Sequence, residues 1–252
     1  PIPRGKLLGG SSSINGLVYV RGNKLDYDTW AQMGNTGWSY DDVLPFFKKI
    51  ENYQGEITEL RSSKGPLKIS EVVDRNPIYD ALFRGAGEIG IPTNKDYNGD
   101  EQEGISYTQT TIFKGERMSA EVAYLRPIRS RKNLTIITNS LVTKLLFDGK
   151  TCIGVKIKNK NKIKDFFAQN EVILCGGAIN SPQILELSGI GNRSILEEKG
   201  ISVVHELKGV GENLRDHLGP RLVYNITKRG ISYNDKARGI NLIKQVLTYA
   251  FK

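Results

Sequence analysis

Three observations predict an α/β (α+β) protein. Helical and strand periodicities alternate along the chain with no long linker, repeat or low-complexity tract, which favours one intertwined unit over a string of separate domains. With 38% hydrophobic and 25% charged residues, the 252-residue chain can bury a sizeable core, and disordered or fibrous classes are excluded. From Leu134 onward the pattern turns to short apolar runs broken by Asp148-Gly149 and Asn-Lys pairs, as a β-meander requires.

The elements follow in order. After a Gly-rich opening, Ser39-Tyr40-Asp41-Asp42 supplies an N-cap for an aromatic helix through Val43-Leu44-Pro45-Phe46-Phe47. Gly65 to Ser70 reads as a short strand. Asn76-Pro77 starts a second helix with Ile78, Leu82, Ala86 and Ile89 on one face and Gly90 as its stop. Ile105 to Ile112 alternates like a strand, and Ser119 caps a helix running to Leu125 that Pro127 ends. Strands are then predicted at Thr135–Thr138, Val142–Phe147, Gly154–Ile157 and Glu171–Cys175. The last runs into Gly176-Gly177-Ala178-Ile179-Asn180-Ser181-Pro182, with Pro182 as the first helical position and Gln183 to Leu187 helical. A strand at Ile201 to Leu207 precedes the loop Gly209 to Leu214, and Arg221 to Ile226 begins a new element.

The formal charge of +9 raises a nucleic-acid reading. Its densest run, Lys156 to Lys164, alternates in the two-residue period of a hairpin and has no interleaved aromatics, so a solvated strand face is the better account. No apolar stretch approaches the roughly 18 residues of a membrane span. Cys152 and Cys175 sit in strand-like contexts and behave as small hydrophobes. The two histidines, His205 and His217, have no ligand cluster near them in sequence. Asn-x-Ser/Thr triplets at Asn133, Asn192 and Asn225 carry meaning only in a secreted protein. The chain opens on Pro1-Ile2-Pro3 and closes inside an amphipathic pattern at Lys252, so an internal piece of a longer protein is expected.

Two segments could carry chemistry. In Gly5-Lys6-Leu7-Leu8-Gly9-Gly10-Ser11-Ser12-Ser13-Ile14-Asn15-Gly16-Leu17-Val18-Tyr19-Val20-Arg21-Gly22, paired glycines let backbone approach a planar or anionic ligand. The serine run opening a helix would leave N–H groups for a phosphate. An isolated match of this kind is more often a Gly-Gly turn before a Ser-capped helix. In Gly176 to Gly191, a strand ends in glycines and bends into a helix, as strands do at a cofactor edge of open α/β sheets. It lacks the third glycine of G-x-G-x-x-G, so it is not the dinucleotide fingerprint.

In this order the two segments resemble the two signatures of the glucose-methanol-choline oxidoreductases. Collinear landmarks extend the resemblance: Asp26-Tyr27-Asp28-x-Trp30, Gly37-Trp38-Ser39-Tyr40, Phe46-Phe47-Lys48-Lys49, Gly115-x-Arg117-x-Ser119-Ala120 with Tyr124-Leu125-Arg126-Pro127, and Gly209-Val210-Gly211-x-Asn213-Leu214-x-Asp216-His217. Their flavour is nearest the arthropod glucose-dehydrogenase-like members. The resemblance implies a Rossmann-like FAD-binding α/β domain interleaved with an antiparallel-sheet substrate domain, here incomplete at both ends. It divides the chain into an FAD-binding part with a flavin-covering segment (1–64), a first substrate part (65–132), a second FAD-binding part (133–219) and the start of a second substrate part (220–252).

The implied activity is oxidation of an alcohol or sugar by hydride transfer to FAD, with oxygen or a quinone as final electron acceptor. Cofactor contacts are implied at Gly10, Ser11, Asn15, Gly16, Leu17 and Val18, and at Val142 through its backbone. The family's fingerprint strand would precede Pro1 and its catalytic histidine block would follow Lys252, so no catalytic residue is expected here. His217 falls on a loop landmark, which favours a structural role, and His205 reads as a packed or edge histidine. An extracellular location is implied by the same resemblance. The competing reading is a non-catalytic ligand-binding protein on the same scaffold.

Overall fold

The structure, a computed structural model, describes residues 2–73, 75–220, 223–226 and 230–251. The chain forms two compact units, residues 1–134 with 224–252, and residues 135–223.

In the first unit, α1 (Lys24–Gln32) starts where the Asn23 side chain accepts from the Leu25 N–H, and α2 (Tyr40–Ile50) starts at the predicted Ser39. Ser39 Oγ accepts from the Asp42 N–H while the Asp42 carboxylate accepts from the Ser39 N–H at 3.1 Å, a reciprocal capping box. The two helices meet through rings: Tyr27 lies edge-on to Trp30 at 5.3 Å and to Phe47 at 5.7 Å. Helix α2 runs straight into β1 (Glu51–Tyr53), which pairs in parallel with β2 (Leu67–Glu71). Helix α3 (Pro77–Glu88) has Asn76 as its cap and Pro77 at its first turn, as the sequence indicates, but only Ala86 of the proposed apolar face is buried.

Two expectations need correction in this unit. Ile105 to Ile112 is not one strand. Ile105 makes a single parallel bridge to Thr93, β3 (Gln109–Thr110) pairs with β2, and Ile112 opens β4 (Ile112–Phe113), hairpinned to β5 (Glu116–Arg117). The helix after Ser119 is a π-helical turn, Glu121–Leu125, that passes into a 3₁₀ turn, Arg126–Ile128. Pro127 has no N–H for an α-helical ladder, and the looser and tighter turns accommodate it. Ser119 Oγ still accepts from the Val122 N–H at 3.3 Å. Two later helices, Tyr233–Lys236 and Gly239–Ala250, complete the unit, and the Asn76 amide donates to the Ile231 carbonyl at 2.8 Å.

The junction of β1, β2 and β3 is built on charge. Glu51, fully buried, accepts from Arg21 (2.7 Å), Arg61 Nε (2.9 Å) and the Ser62 N–H (3.0 Å). Arg61 also pairs with Asp96 and lies over the Tyr53 ring at 3.7 Å. Gln109 bridges Arg61, Asp96 and Asn98. Burial alone would lower the Arg61 pKa, but the Glu51 and Asp96 carboxylates outweigh it and hold the guanidinium above its ordinary value.

The second unit carries the predicted meander: β6 (Leu141–Asp148), β7 (Thr151–Asn159) and β8 (Lys162–Phe167), all antiparallel. The Lys run is its solvated hairpin, with Lys158, Lys162 and Lys164 exposed and Lys156 paired to Asp165 at 2.7 Å. Leu145 and Ile157 are buried on its inner face. Helix α4 (Gly177–Leu187) packs there, and Ser188 Oγ accepts from the Leu145 N–H at 2.8 Å. Then come β9 (Ile190–Gly191), α5 (Arg193–Glu198) and β10 (His205–Glu206), with β9 and β10 parallel.

Here too the structure departs from expectation. Thr135–Thr138 and Glu171–Cys175 have strand-like patterns but pair in a ladder with no described residue, and a pattern without a partner makes no strand. The strand predicted at Ile201 to Leu207 shrinks to His205–Glu206, leaving His205 exposed at an edge. Helix α4 begins five residues before Pro182, which therefore lies inside it. Of the element expected at Arg221 to Ile226, Arg221 and Leu222 lie outside the described residues, and 223–226 have no regular structure.

Candidate cofactor-binding segment

The opening segment folds as a tight ribbon. Gly9 and Gly10 take φ of +85° and +54°, turning the chain into one 3₁₀ turn, Gly10–Ser13. Gly5 is held against this turn so closely that a Cβ there would stand 2.2 Å from the Gly10 carbonyl oxygen. The turn is too short to act as the phosphate-binding helix the serine run suggested, and its hydroxyls are used internally. Ser11 Oγ accepts from the Gly5 N–H (3.2 Å), Ser13 Oγ donates to the Leu8 carbonyl (2.9 Å), and Ser12 Oγ donates to the Gly9 carbonyl while accepting from the Ala120 N–H (2.9 Å).

Beyond the turn, Asn15 Oδ1 accepts from the Leu17 N–H at 3.2 Å, and Leu17 sits at φ +68°, a region that L-residues seldom adopt. Val18 forms an antiparallel bridge to Thr110, flanked by Thr111 N–H to Leu17 carbonyl (2.9 Å) and Tyr19 N–H to Gln109 carbonyl (2.9 Å). In that register the Val18 N–H and carbonyl point away from the partner strand. Asn15, Gly16 and Val18 are exposed, and nothing lies within 4 Å of the Cβ positions of Gly10 and Gly16. The segment thus shows a bare strip of backbone beside exposed Ile14 and Val18, a surface suited to a flat group lying against main chain.

Its downstream end enters the charged junction. Arg21 receives the Asn98 side-chain oxygen on its N–H (2.7 Å) and donates to the Leu60 carbonyl (2.7 Å) as well as to Glu51. The Tyr19 hydroxyl beside it is pushed up to about 12, chiefly by burial and further by the Glu51 charge.

Gly10, Ser11, Asn15, Gly16, Leu17 and Val18 are therefore one continuous ribbon. Val142 belongs to the other unit: half-buried on β6, it pairs with Ile157 beside a bulge. His217 is exposed, its N–H bonded to the Asp216 carboxylate at 2.8 Å. Sequence reasoning missed what backs the ribbon. Arg117 on β5 donates to the Ser12 carbonyl (3.2 Å), the Asn15 carbonyl (2.9 Å) and Asn15 Oδ1 (2.9 Å), and Thr111 Oγ1 donates to the Leu17 carbonyl (3.2 Å). The signal was present in the Gly115-x-Arg117-x-Ser119-Ala120 landmark, but no spacing rule connects it to a segment 100 residues earlier. Among the described residues no His/Cys/Asp/Glu cluster could hold a metal ion, and no helix is long and apolar enough to cross a membrane.

Comparison with known proteins gives the ribbon its context. The chain is 46% identical over 219 residues to an oxygen-dependent choline dehydrogenase of Photobacterium profundum, and 44% identical over 216 residues to the mitochondrial choline dehydrogenase of Homo sapiens. Each match covers 86% of this chain but only 38% and 36% of the respective relative. These relatives are choline dehydrogenases, which corrects the expected arthropod glucose-dehydrogenase flavour. Among solved structures, an FAD-dependent oxidoreductase from Chaetomium thermophilum superposes with a TM-score of 0.78 at 33% identity, over 82% of this chain and 38% of that one. Pyridoxine 4-oxidase from Mesorbium loti superposes at 0.76 and 32% identity, over 81% and 40%. The cofactor read from the sequence, FAD, is that of the Chaetomium protein. Residues 1–219 match the model of the GMC oxidoreductases, and the chain belongs to that family.

Proposed function

We propose that the protein of which this chain is a part is an FAD-dependent oxidoreductase that oxidises the CH–OH group of a small, choline-type alcohol. The observation that carries the reading is the ribbon itself: open space at Gly10 and exposed residues Asn15, Gly16 and Val18, fixed from behind, in a chain 46% identical to a choline dehydrogenase across 86% of its length. When bound, FAD supplies the two-electron acceptor for hydride leaving the carbinol carbon. The part assigned to this chain is placement. Gly10 and Gly16 leave room for close approach, Val18 offers its outward N–H and carbonyl to the cofactor, Asn15 and Leu17 line the same contact with main chain already bonded within the protein, Ser11 stitches the turn to Gly5, and Val142 contributes a backbone contact from its strand. Reoxidation by oxygen or a quinone belongs to the same proposal.

The test is purification of the full-length protein, with its visible spectrum and its turnover of choline, glucose and simple primary alcohols using oxygen or an artificial quinone. A stoichiometric flavin spectrum with choline turned over in preference to glucose is the expected result. Bound flavin without turnover of any alcohol would favour the non-catalytic scaffold, and absence of flavin would overturn the proposal.

A further inference from the structure

The hairpin β4–β5 is shaped as a two-armed bracket behind the ribbon. Its turn residues Lys114 and Gly115 both have positive φ, +50° and +78°, the conformation of a tight I′-type connection that fixes the register Ile112↔Arg117. On one side of the hairpin, Thr111 grips the Leu17 carbonyl with both its N–H and its hydroxyl. On the other, the Arg117 guanidinium converges on three oxygens, the carbonyls of Ser12 and Asn15 and Asn15 Oδ1. The ribbon between these grips holds the strained Leu17, and such a conformation persists only where its surroundings determine it. Cationic donors to oxygen make stronger hydrogen bonds than neutral ones, so Arg117 is the larger of the two restraints.

We propose that Arg117 is a positioning residue for the cofactor: through Asn15 it sets the path of the Asn15–Val18 backbone and so determines how tightly, and in what orientation, FAD lies there. This rests on the functional reading above. A guanidinium presents several donors in a fixed plane, whereas a lysine offers one point charge, so Arg117→Lys retains part of the grip and Arg117→Ala none.

The experiment uses the full-length protein as wild type, Arg117→Ala, Arg117→Lys and Asn15→Ala. Hydrogen exchange of the apo forms reads the Leu17 amide, which Asn15 Oδ1 holds, and FAD affinity and visible circular dichroism read the cofactor. The expected result is faster Leu17 exchange in Arg117→Ala, FAD binding weakened about tenfold or more, and an altered flavin dichroism at saturation, with Arg117→Lys intermediate. Asn15→Ala should reproduce part of the same change. Unchanged Leu17 exchange in Arg117→Ala overturns the inference, as does unchanged FAD affinity and dichroism in a variant whose exchange has risen. A merely structural defect would accelerate exchange throughout the chain with no graded recovery in Arg117→Lys, and that result also overturns it. If the wild type binds no FAD, the functional reading fails, whereas Leu17 exchange in the same proteins still decides whether Arg117 fixes the ribbon.

Discussion

The two units back their strands with different chemistry. In the first, β1, β2 and β3 meet around Glu51, Arg21, Arg61, Asp96 and Gln109, nearly all buried, with Ile69 and the Tyr53 ring among them. In the second, the meander is closed by Leu145 and Ile157 and the following turn by Leu196, with Ser188 as a buried polar stitch. Apolar packing tolerates rearrangement, but directional charged bonds specify one geometry and fail sharply when a partner is lost. The unit that carries the exposed glycine-paired ribbon is the one built in the unforgiving way.

That contrast can be broken most easily at Glu51. Glu51→Ala removes the carboxylate that two buried guanidiniums share, leaving Arg61 only Asp96 and Arg21 no carboxylate, and should cost about 3–5 kcal/mol. Both tryptophans, Trp30 and Trp38, lie in the first unit, so their fluorescence during urea unfolding reports it selectively. A loss under about 1 kcal/mol would show that the charged junction does not hold that unit together. In the second unit, Leu196→Ala should cost about 2–5 kcal/mol by opening a cavity, seen as faster exchange in α5 while the tryptophan transition stays in place. A displaced tryptophan transition would mean the units unfold as one.

Alkaline titration sharpens the comparison with a smaller effect. Tyr19 has its folded-state pKa raised to about 12 against an ordinary value near 10, so the unfolded chain releases this proton first. Its contribution is intact below pH 10 and is lost as pH climbs from there through about 12. The second unit contains no tyrosine. The tryptophan-reported midpoint should therefore fall over that interval, and Tyr19→Phe should flatten the fall. An identical slope in the variant would remove Tyr19 from the account.

Local chemistry was the legible part of this sequence. The Ser39 cap, the Asn76-Pro77 start and the Lys-rich hairpin all follow from residues within a few positions of one another, and each is found where expected. Strand patterns at Thr135–Thr138 and Glu171–Cys175 state only that the chain can extend, and pairing depends on what lies alongside. Pro182 misled because its preference for a first turn is statistical, and here glycines upstream begin the helix sooner. For the candidate site, the paired glycines and Asn15 to Val18 stood out as a motif, yet the serines that suggested phosphate binding proved to be internal ties. The charged junction was invisible, since Arg21, Glu51, Arg61, Asp96 and Gln109 are scattered over 89 positions and no periodicity links them.

Gly5 and Gly10 look interchangeable as letters, but the fold assigns them opposite freedoms. At position 5 even a methyl group would collide with main chain, whereas position 10 faces empty space and asks only for a left-handed backbone, which asparagine and aspartate also tolerate. A library randomised at both codons and selected for soluble expression should return glycine alone at the first and a small polar set at the second, so that the tightest sequence requirement falls where the chain folds against itself.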